Sequence, residues 1–414
     1  MDVQLWLSTY PTSTFVVDAG EDYQSINSDH HHRLHSNPSL QTLPSIPSLQ
    51  SPISLESHPL ILLSATSLHL ITPLPADIGA FAVHHNLLYA ASGHQVNVYD
   101  VNINFNLIDT FNNTTHDYSS SGSVKSITFL KNTVFTAHQD GKIRSWKLTN
   151  ENKHKLIAEL PTVKDRIFRS IFPSNYKKIR RHKKRLWIEH YDAVSGLCFS
   201  NQGYLISVSW DRSLKIWRET DYRCIQSISK AHEDAINAVI VSSDGVIYTA
   251  SADRLIKVWG LGKDDKRSYS LMGTLEKHRS AVNALALSGD ESVLFSGACD
   301  RSILVWEKDG GGGGSYMRVN GALRGHMGAV LCLISVRDVL ISGSEDRTVR
   351  VWRRGFDDGK YCCLSVLDGH EKAVRSVAAT TAEEGCDEGG GLKVISGSSG
   401  GVIKAWQIVF STCH

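Results

Sequence analysis

From about residue 60 onward, short runs of Val, Ile, Leu and aromatic residues alternate with short polar turns. In one stretch the runs are VSGLCFS, YLISVS, SLKIW and CIQSIS, separated by turn sequences such as NQG and WDR. Apolar, β-branched runs of this length bounded by turn residues predict β-strands. Strands this short do not make stable isolated sheets. Sheets stacked radially solve that problem, because each face is covered by a neighbour.

The pattern repeats. SVSWDRSLKIW, TASADRLIKVW, SGACDRSILVW and SGSEDRTVRVW end at Trp217, Trp259, Trp306 and Trp352. Each Trp follows an Asp by six residues: Asp211, Asp253, Asp300 and Asp346. TAHQDGKIRSW ends at Trp146 and SGSSGGVIKAW at Trp406. A His recurs upstream of the units, as His190, His232, His278, His326 and His370. Self-similarity at this period marks a repeat architecture. The units resemble WD40 repeats, over roughly residues 60–410. The fold class expected is all-β, a seven-bladed WD40 β-propeller. Its first blade is degenerate, with Tyr99 in place of Trp. The last blade runs out of chain after VIKAWQI, so LILLSATSLHLI before blade one is expected to complete it. That closure removes an exposed sheet edge.

The resemblance implies structural tetrads of His, Ser or Thr, Asp and Trp. They would be His190, Ser207, Asp211 and Trp217; His232, Thr249, Asp253 and Trp259; His278, Ser296, Asp300 and Trp306; and His326, Ser342, Asp346 and Trp352. A buried carboxylate needs donors, and imidazole, hydroxyl and indole supply a linked set. Recurrence in blade after blade marks architecture and not a catalytic triad. GSSGG at 397–401 fits G-x-S-x-G, but a strand follows it instead of the helix a nucleophile elbow requires. Gly400 stands where that blade's Asp belongs, so the ring is expected to be weakest between blades seven and one. No catalytic residues, metal site or cofactor are expected.

Composition is ordinary for a globular protein, at 41% hydrophobic and 21% charged. No apolar run reaches the length of a membrane-spanning helix. Eight cysteines are scattered without a C-x-x-C pair, which fits a reducing compartment. Residues 1–58, Ser/Pro-rich and carrying DHHHRLH at 29–35, are expected to be largely disordered, ahead of a propeller at 59–412.

Charge changes the picture in one place. The net charge is +2, yet seven of the nine residues at 177–185 are Lys or Arg. Trp146 and Trp217 lie 71 residues apart, against 42 to 54 between later neighbours. The excess is an insert, residues 161–189, between the outer strand of blade two and the inner strand of blade three. It carries a net +8 and is expected on the face that holds the Asp turns. Lys177, Lys178, Arg180, Arg181, Lys183, Lys184 and Arg185 are candidates for nuclear import or for contact with an acidic partner. Arg212, Arg254, Arg301 and Arg347 follow the turn Asp residues and should line the same face as donors for acidic or phosphorylated ligands. Trp210 is a candidate exposed anchor.

The insert and the Ser/Pro linker resemble plant Jingubang-type WD40 proteins. That resemblance implies a non-enzymatic regulator of pollen germination and growth. It would act in nucleus and cytoplasm through protein partners such as transcription factors. A ubiquitin-ligase substrate receptor is the alternative class, as is a propeller for acidic or phosphorylated ligands. W-D-x-R docking motifs would favour the receptor, but the third strands end in WRET, WGLG, WEKD and WRRG. Direct nucleic-acid binding is disfavoured, because only Tyr176 and Trp187 flank the basic run and base stacking needs more. No membrane partner is expected.

Overall fold

The computed structural model describes residues 46–50, 62–71, 73–112, 122–180, 183–262, 268–308, 317–355, 359–381 and 391–410. Strand β1 (Leu62–Ile71) comes first. Blade one follows as β2 (Ile78–His84), β3 (Leu87–Ser92), β4 (Gln95–Asp100) and β5 (Asn106–Phe111). Blade two is β6 (Val124–Leu130), β7 (Thr133–His138), β8 (Ile143–Leu148) and β9 (His154–Leu160). The insert then forms helix α1 (Val163–Ser170), a 3-10 turn (Pro173–Asn175) and a ribbon of β10 (Tyr176–Arg180) and β11 (Lys183–Leu186). Blade three is β12 (Val194–Ser200), β13 (Tyr204–Ser209), β14 (Leu214–Arg218) and β15 (Cys224–Ile228). Blade four is β16 (Ile236–Val241), β17 (Ile247–Ser251), β18 (Leu255–Leu261) and β19 (Tyr269–Glu276). Blade five is β20 (Val282–Leu287), β21 (Val293–Ala298), β22 (Ile303–Lys308) and β23 (Met317–Leu323). Blade six is β24 (Val330–Val336), β25 (Val339–Ser344), β26 (Val349–Arg354) and β27 (Tyr361–Leu367). Blade seven holds β28 (Val374–Thr381), β29 (Gly391–Ser398) and β30 (Ile403–Phe410).

Seven four-stranded antiparallel sheets result, each a meander except the last. There the order is β1, β30, β29, β28, with Leu62 opposite Phe410 and Ile71 opposite Ile403. The closing strand is the one expected from the sequence. After it, Leu74 donates its amide to the Gly401 carbonyl at 2.9 Å. Gly401 has φ +75°, and a Cβ there would sit 2.1 Å from the Leu74 carbonyl oxygen. Only glycine suits this turn, because the closing chain passes directly over it.

The second strand of each blade is buried on both faces, so it reads as a continuous apolar run without alternation. All six residues of β21 and of β25 are buried. The core therefore lies between blades. Trp217, 1% exposed, packs with Leu160 and Phe135 of blade two and with Leu197 and Leu205 of its own blade. Each such fully buried large side chain contributes about 1.5–3 kcal/mol through lost apolar surface. The five-glycine run at 310–314 and the acidic stretch at 382–390, which the sequence places in loops of blades five and seven, lie outside the described residues, as does DHHHRLH.

Candidate partner-binding surface

In blade three His190 Nδ1 lies 3.0 Å from Asp211 Oδ2, and its Nε2 lies 2.9 Å from Ser207 Oγ. Trp217 Nε1 donates to the same hydroxyl at 2.9 Å. Asp211 also accepts from the Tyr191 and Ser213 amides. Burial works to raise the Asp211 pKa, but His190 and the Ser213 hydroxyl outweigh it and hold the carboxyl below its usual range. Blade four repeats the set with His232, Asp253, Thr249 and Trp259 at 2.8–2.9 Å. Blade five does so with His278, Asp300, Ser296 and Trp306 at 2.8–2.9 Å. Blade six uses His326, Asp346, Ser342 and Trp352 at 2.7–2.9 Å. Ser207, Thr249, Ser296 and Ser342 are each 0% exposed, so these hydroxyls have no path to a substrate.

Two blades keep a partial set. In blade seven His370 Nε2 and Trp406 Nε1 share Ser396 Oγ, and with Gly400 in the Asp position His370 Nδ1 has no partner among the described residues. In blade two the ring comes from inside the sheet. His138 lies 2.8 Å from Thr136, which accepts from Trp146, while Asp140 pairs with Arg144 at 2.7 Å. The signal for His138 stood in TAHQD, two residues before the Asp.

His190 precedes the inner strand and Asp211 lies in the turn between β13 and β14, so both mark one face of the ring. Arg212, Arg254, Arg301 and Arg347 sit on it, all in left-handed conformation with φ between 66° and 74°. Arg254, Arg301 and Arg347 are exposed; Arg212 donates to the Glu233 carbonyl at 3.2 Å. Trp210 is not the exposed anchor expected. Its ring is half-buried, with Lys125 Nζ 5.4 Å above the centroid.

The insert lies differently from expectation. It is not confined to the face of the Asp turns but runs down the outer edge of blade three. Lys177 Nζ reaches Ser229 Oγ, just past β15, at 2.6 Å. Helix α1 meets the opposite end of that strand. Asp165 Oδ2 accepts from the Cys224 amide at 3.4 Å, and the Arg169 guanidinium donates to the Cys224 carbonyl at 2.9 Å. Asp165 and Arg169 are themselves paired at 2.9 Å, so an i,i+4 ion pair caps the free edge of the strand. Trp187 stacks under Arg169 at 4.4 Å and bonds Asn175 at 3.2 Å, tying helix to ribbon. Thr162 caps the helix by accepting from the Asp165 amide.

This docking turns the helix inside out. Its charged pair faces the blade, and its apolar stripe faces solvent. Val163, Ile167, Phe168, Ile171 and Phe172 are 52–70% exposed. Sequence reasoning assigned this segment by its charge and missed the stripe, although the i, i+4, i+8 spacing of Val163, Ile167 and Ile171 was there to read.

The basic run forms the adjacent ribbon. Lys177 lies opposite Arg185, Lys178 opposite Lys184, and Arg180 opposite Lys183. Arg181 falls outside the described residues, and nothing is described of the Arg180 and Lys183 side chains. Like charges directly opposite across a ribbon repel. Arg185 donates to the His190 carbonyl at 3.1 Å. Among the described residues no carboxylate forms an ion pair with Lys177, Lys178, Lys184 or Arg185.

Residues 182–218, 222–260, 269–307, 317–353 and 361–407 match the WD40 family, "WD domain, G-beta repeat". With seven stacked four-stranded sheets, the chain is a WD40-repeat protein forming a β-propeller. It is similar to WD repeat and FYVE domain-containing protein 2 of Caenorhabditis elegans, 26% identical over 185 residues, which are 44% of this chain and 41% of that protein. The protein of the same description from Caenorhabditis briggsae is 26% identical over 152 residues, 36% of this chain and 34% of the relative. The match thus spans well under half of either relative. No helix among the described residues is long and apolar enough to cross a membrane.

Proposed function

We propose that this chain is a non-enzymatic interaction scaffold whose insert captures an acidic, apolar-bearing segment of a partner protein. The outward apolar stripe of α1 carries this reading, beside a basic ribbon whose Lys177, Lys178, Lys184 and Arg185 pair with no carboxylate among the described residues. A contiguous exposed apolar patch of this kind marks an interaction site. The neighbouring cations select an acidic occupant and speed its approach. WD40 propellers generally bind other proteins, which agrees. The finer reading is a plant regulator of the Jingubang type, acting on transcription factors or other regulatory proteins in nucleus and cytoplasm. Its support is the insert, the Ser/Pro linker and the DR turns.

A synthetic amphipathic acidic peptide serves as probe. Joint Ile167→Asp and Phe168→Asp substitution should weaken its binding about tenfold or more. Lys178→Glu with Lys184→Glu should do the same and flatten the salt dependence. Unchanged binding by chains that melt like the parent would remove this surface from consideration. Preference for anionic vesicles over the peptide would assign it to lipid instead. Neutralising Lys183, Lys184 and Arg185 should also lower nuclear accumulation without altering the melting curve.

A further inference from the structure

In blades two and four the first residue of the outer strand presents an edge amide that the preceding blade satisfies. In blade two, Asp109 of blade one accepts from the His154 amide at 2.8 Å. In blade four, the Gln226 side chain of blade three pairs with both the amide and carbonyl of Tyr269 at 2.8 Å. Asp109 and Gln226 occupy equivalent positions: each lies opposite the residue that precedes the blade's Tyr or Trp, Val98 and Ile216. In blade five the position opposite Val305 is Gly321. It has no side chain to reach blade six.

A piece of the N-terminal segment fills that space. Residues 46–50, Ile-Pro-Ser-Leu-Gln, run parallel to β23 and on to β27. Leu49 donates its amide to the Ala322 carbonyl at 3.1 Å, and Ala322 donates back to the Pro47 carbonyl at 3.0 Å. The Leu49 carbonyl then accepts from the Tyr361 amide at 2.8 Å, the job that Asp109 and Gln226 perform elsewhere. Gln50 donates its side-chain amide to the Arg324 carbonyl, and Arg324 donates to the Ile46 carbonyl at 2.9 Å. The Leu49 side chain packs on the cluster of Phe295, Leu323, Trp352 and Tyr361. A Cβ on Gly321 would meet Leu49 Cγ at 2.3 Å, and the three atoms nearest to it all belong to the docked segment.

The tetrapeptide at this site is duplicated. Pro-Ser-Leu-Gln stands at 47–50 and again at 38–41. We infer that the outer groove between blades five and six is a peptide-binding site for an extended Pro-Ser-Leu-Gln strip. Residues 47–50 are its intramolecular ligand, and residues 38–41 offer the same strip to the groove of a second copy. The groove supplies main-chain pairing for affinity and a leucine pocket for selectivity, the logic of strand addition at a sheet edge.

A labelled peptide of residues 36–43 tests this against the full chain. Leu49→Asp vacates the groove and should tighten peptide binding about tenfold over the unsubstituted chain, whose site is occupied. Adding Gly321→Val should abolish that gain, as should Leu40→Asp in the peptide. Equal binding by the full chain and Leu49→Asp, indifference to Gly321→Val, or equal binding of a scrambled peptide would each overturn the inference. Hydrogen exchange on the unsubstituted chain decides the matter even if Leu49→Asp does not fold. The Ala322 and Tyr361 amides should be protected, and an excess of the 36–43 peptide carrying Leu40→Asp should leave the Leu49 amide as it was while the native peptide deprotects it. Fast exchange at Ala322 and Tyr361, or no difference between the two peptides, would overturn it.

Discussion

At the scale of single residues, the tetrads show how a blade keeps a buried polar group satisfied, and where it does not. Burial pushes the His370 pKa down to about 4 and that of His138 to about 3, against 6.5 for a free imidazole. Both rings are neutral in the folded chain, whereas the unfolded chain takes up protons near pH 6.5. Their contribution to stability is therefore complete above about pH 6.5. It is lost as pH falls, down to about 4 for His370 and about 3 for His138. Asp346, held at about 2 although burial alone would raise it, acts lower: its contribution is present above 3.8 and lost as pH falls through about 2. Burial also lowers the pKa of His190 and His326 in complete blades, so melting curves between pH 7 and 4 should fall through the buried imidazoles of both kinds of blade before the carboxylates titrate. Gly400→Asp supplies the acceptor His370 Nδ1 lacks, at a site where a Cβ meets the flexible Lys372 stem at 3.2 Å. It should raise stability by about 1 kcal/mol near neutral pH and reduce the acid loss.

At the scale of elements, α1 exists as part of an edge cap. Its Asp165–Arg169 pair stands in for the strand that would otherwise continue the sheet past β15. Asp165→Ala leaves the Cys224 amide without its acceptor and takes the carboxylate from the Arg169 Nε, and should cost about 1–3 kcal/mol. Hydrogen exchange at Cys224 should accelerate, and Asp165→Asn should restore most of the protection. The strands, turns and tetrads were legible in the sequence because each recurs, so one copy checks another: Asp211, Asp253, Asp300 and Asp346 occupy one register. The insert occurs once. Its charge located it, but its path along β15 depends on Asp165 meeting a backbone edge, which no spacing reveals. The docking of Leu49 was hidden for a related reason. The groove is made by an absent side chain, at Gly321, and gains its meaning only beside Asp109 and Gln226.

At the scale of the whole molecule, one seam differs from the other six. Gly401→Val forces a β-branched side chain into a left-handed turn and against the Leu74 carbonyl. It should destabilise the ring by more than 1 kcal/mol, since both strain and the displaced closing chain contribute. Limited proteolysis should then cut first around β1, while tetrad-bearing blades three to six remain resistant. Equal loss of protection all around the ring would show that the seam is no weaker than the rest.

The pairing of Leu62 with Phe410 also sets an order of events. Six blades are built from neighbours along the chain and can form as soon as their strands exist. The seventh cannot, because β1 is made before blade one and its partner β30 only after every other blade. Until then β1 is an unpaired apolar strand tethered to a growing arc, and β30 arrives with one edge bare. Contacts so distant in sequence form slowly. The last step of folding is therefore a search by a tethered strand for its own far end, the interval in which this chain is most exposed to pairing with a stranger.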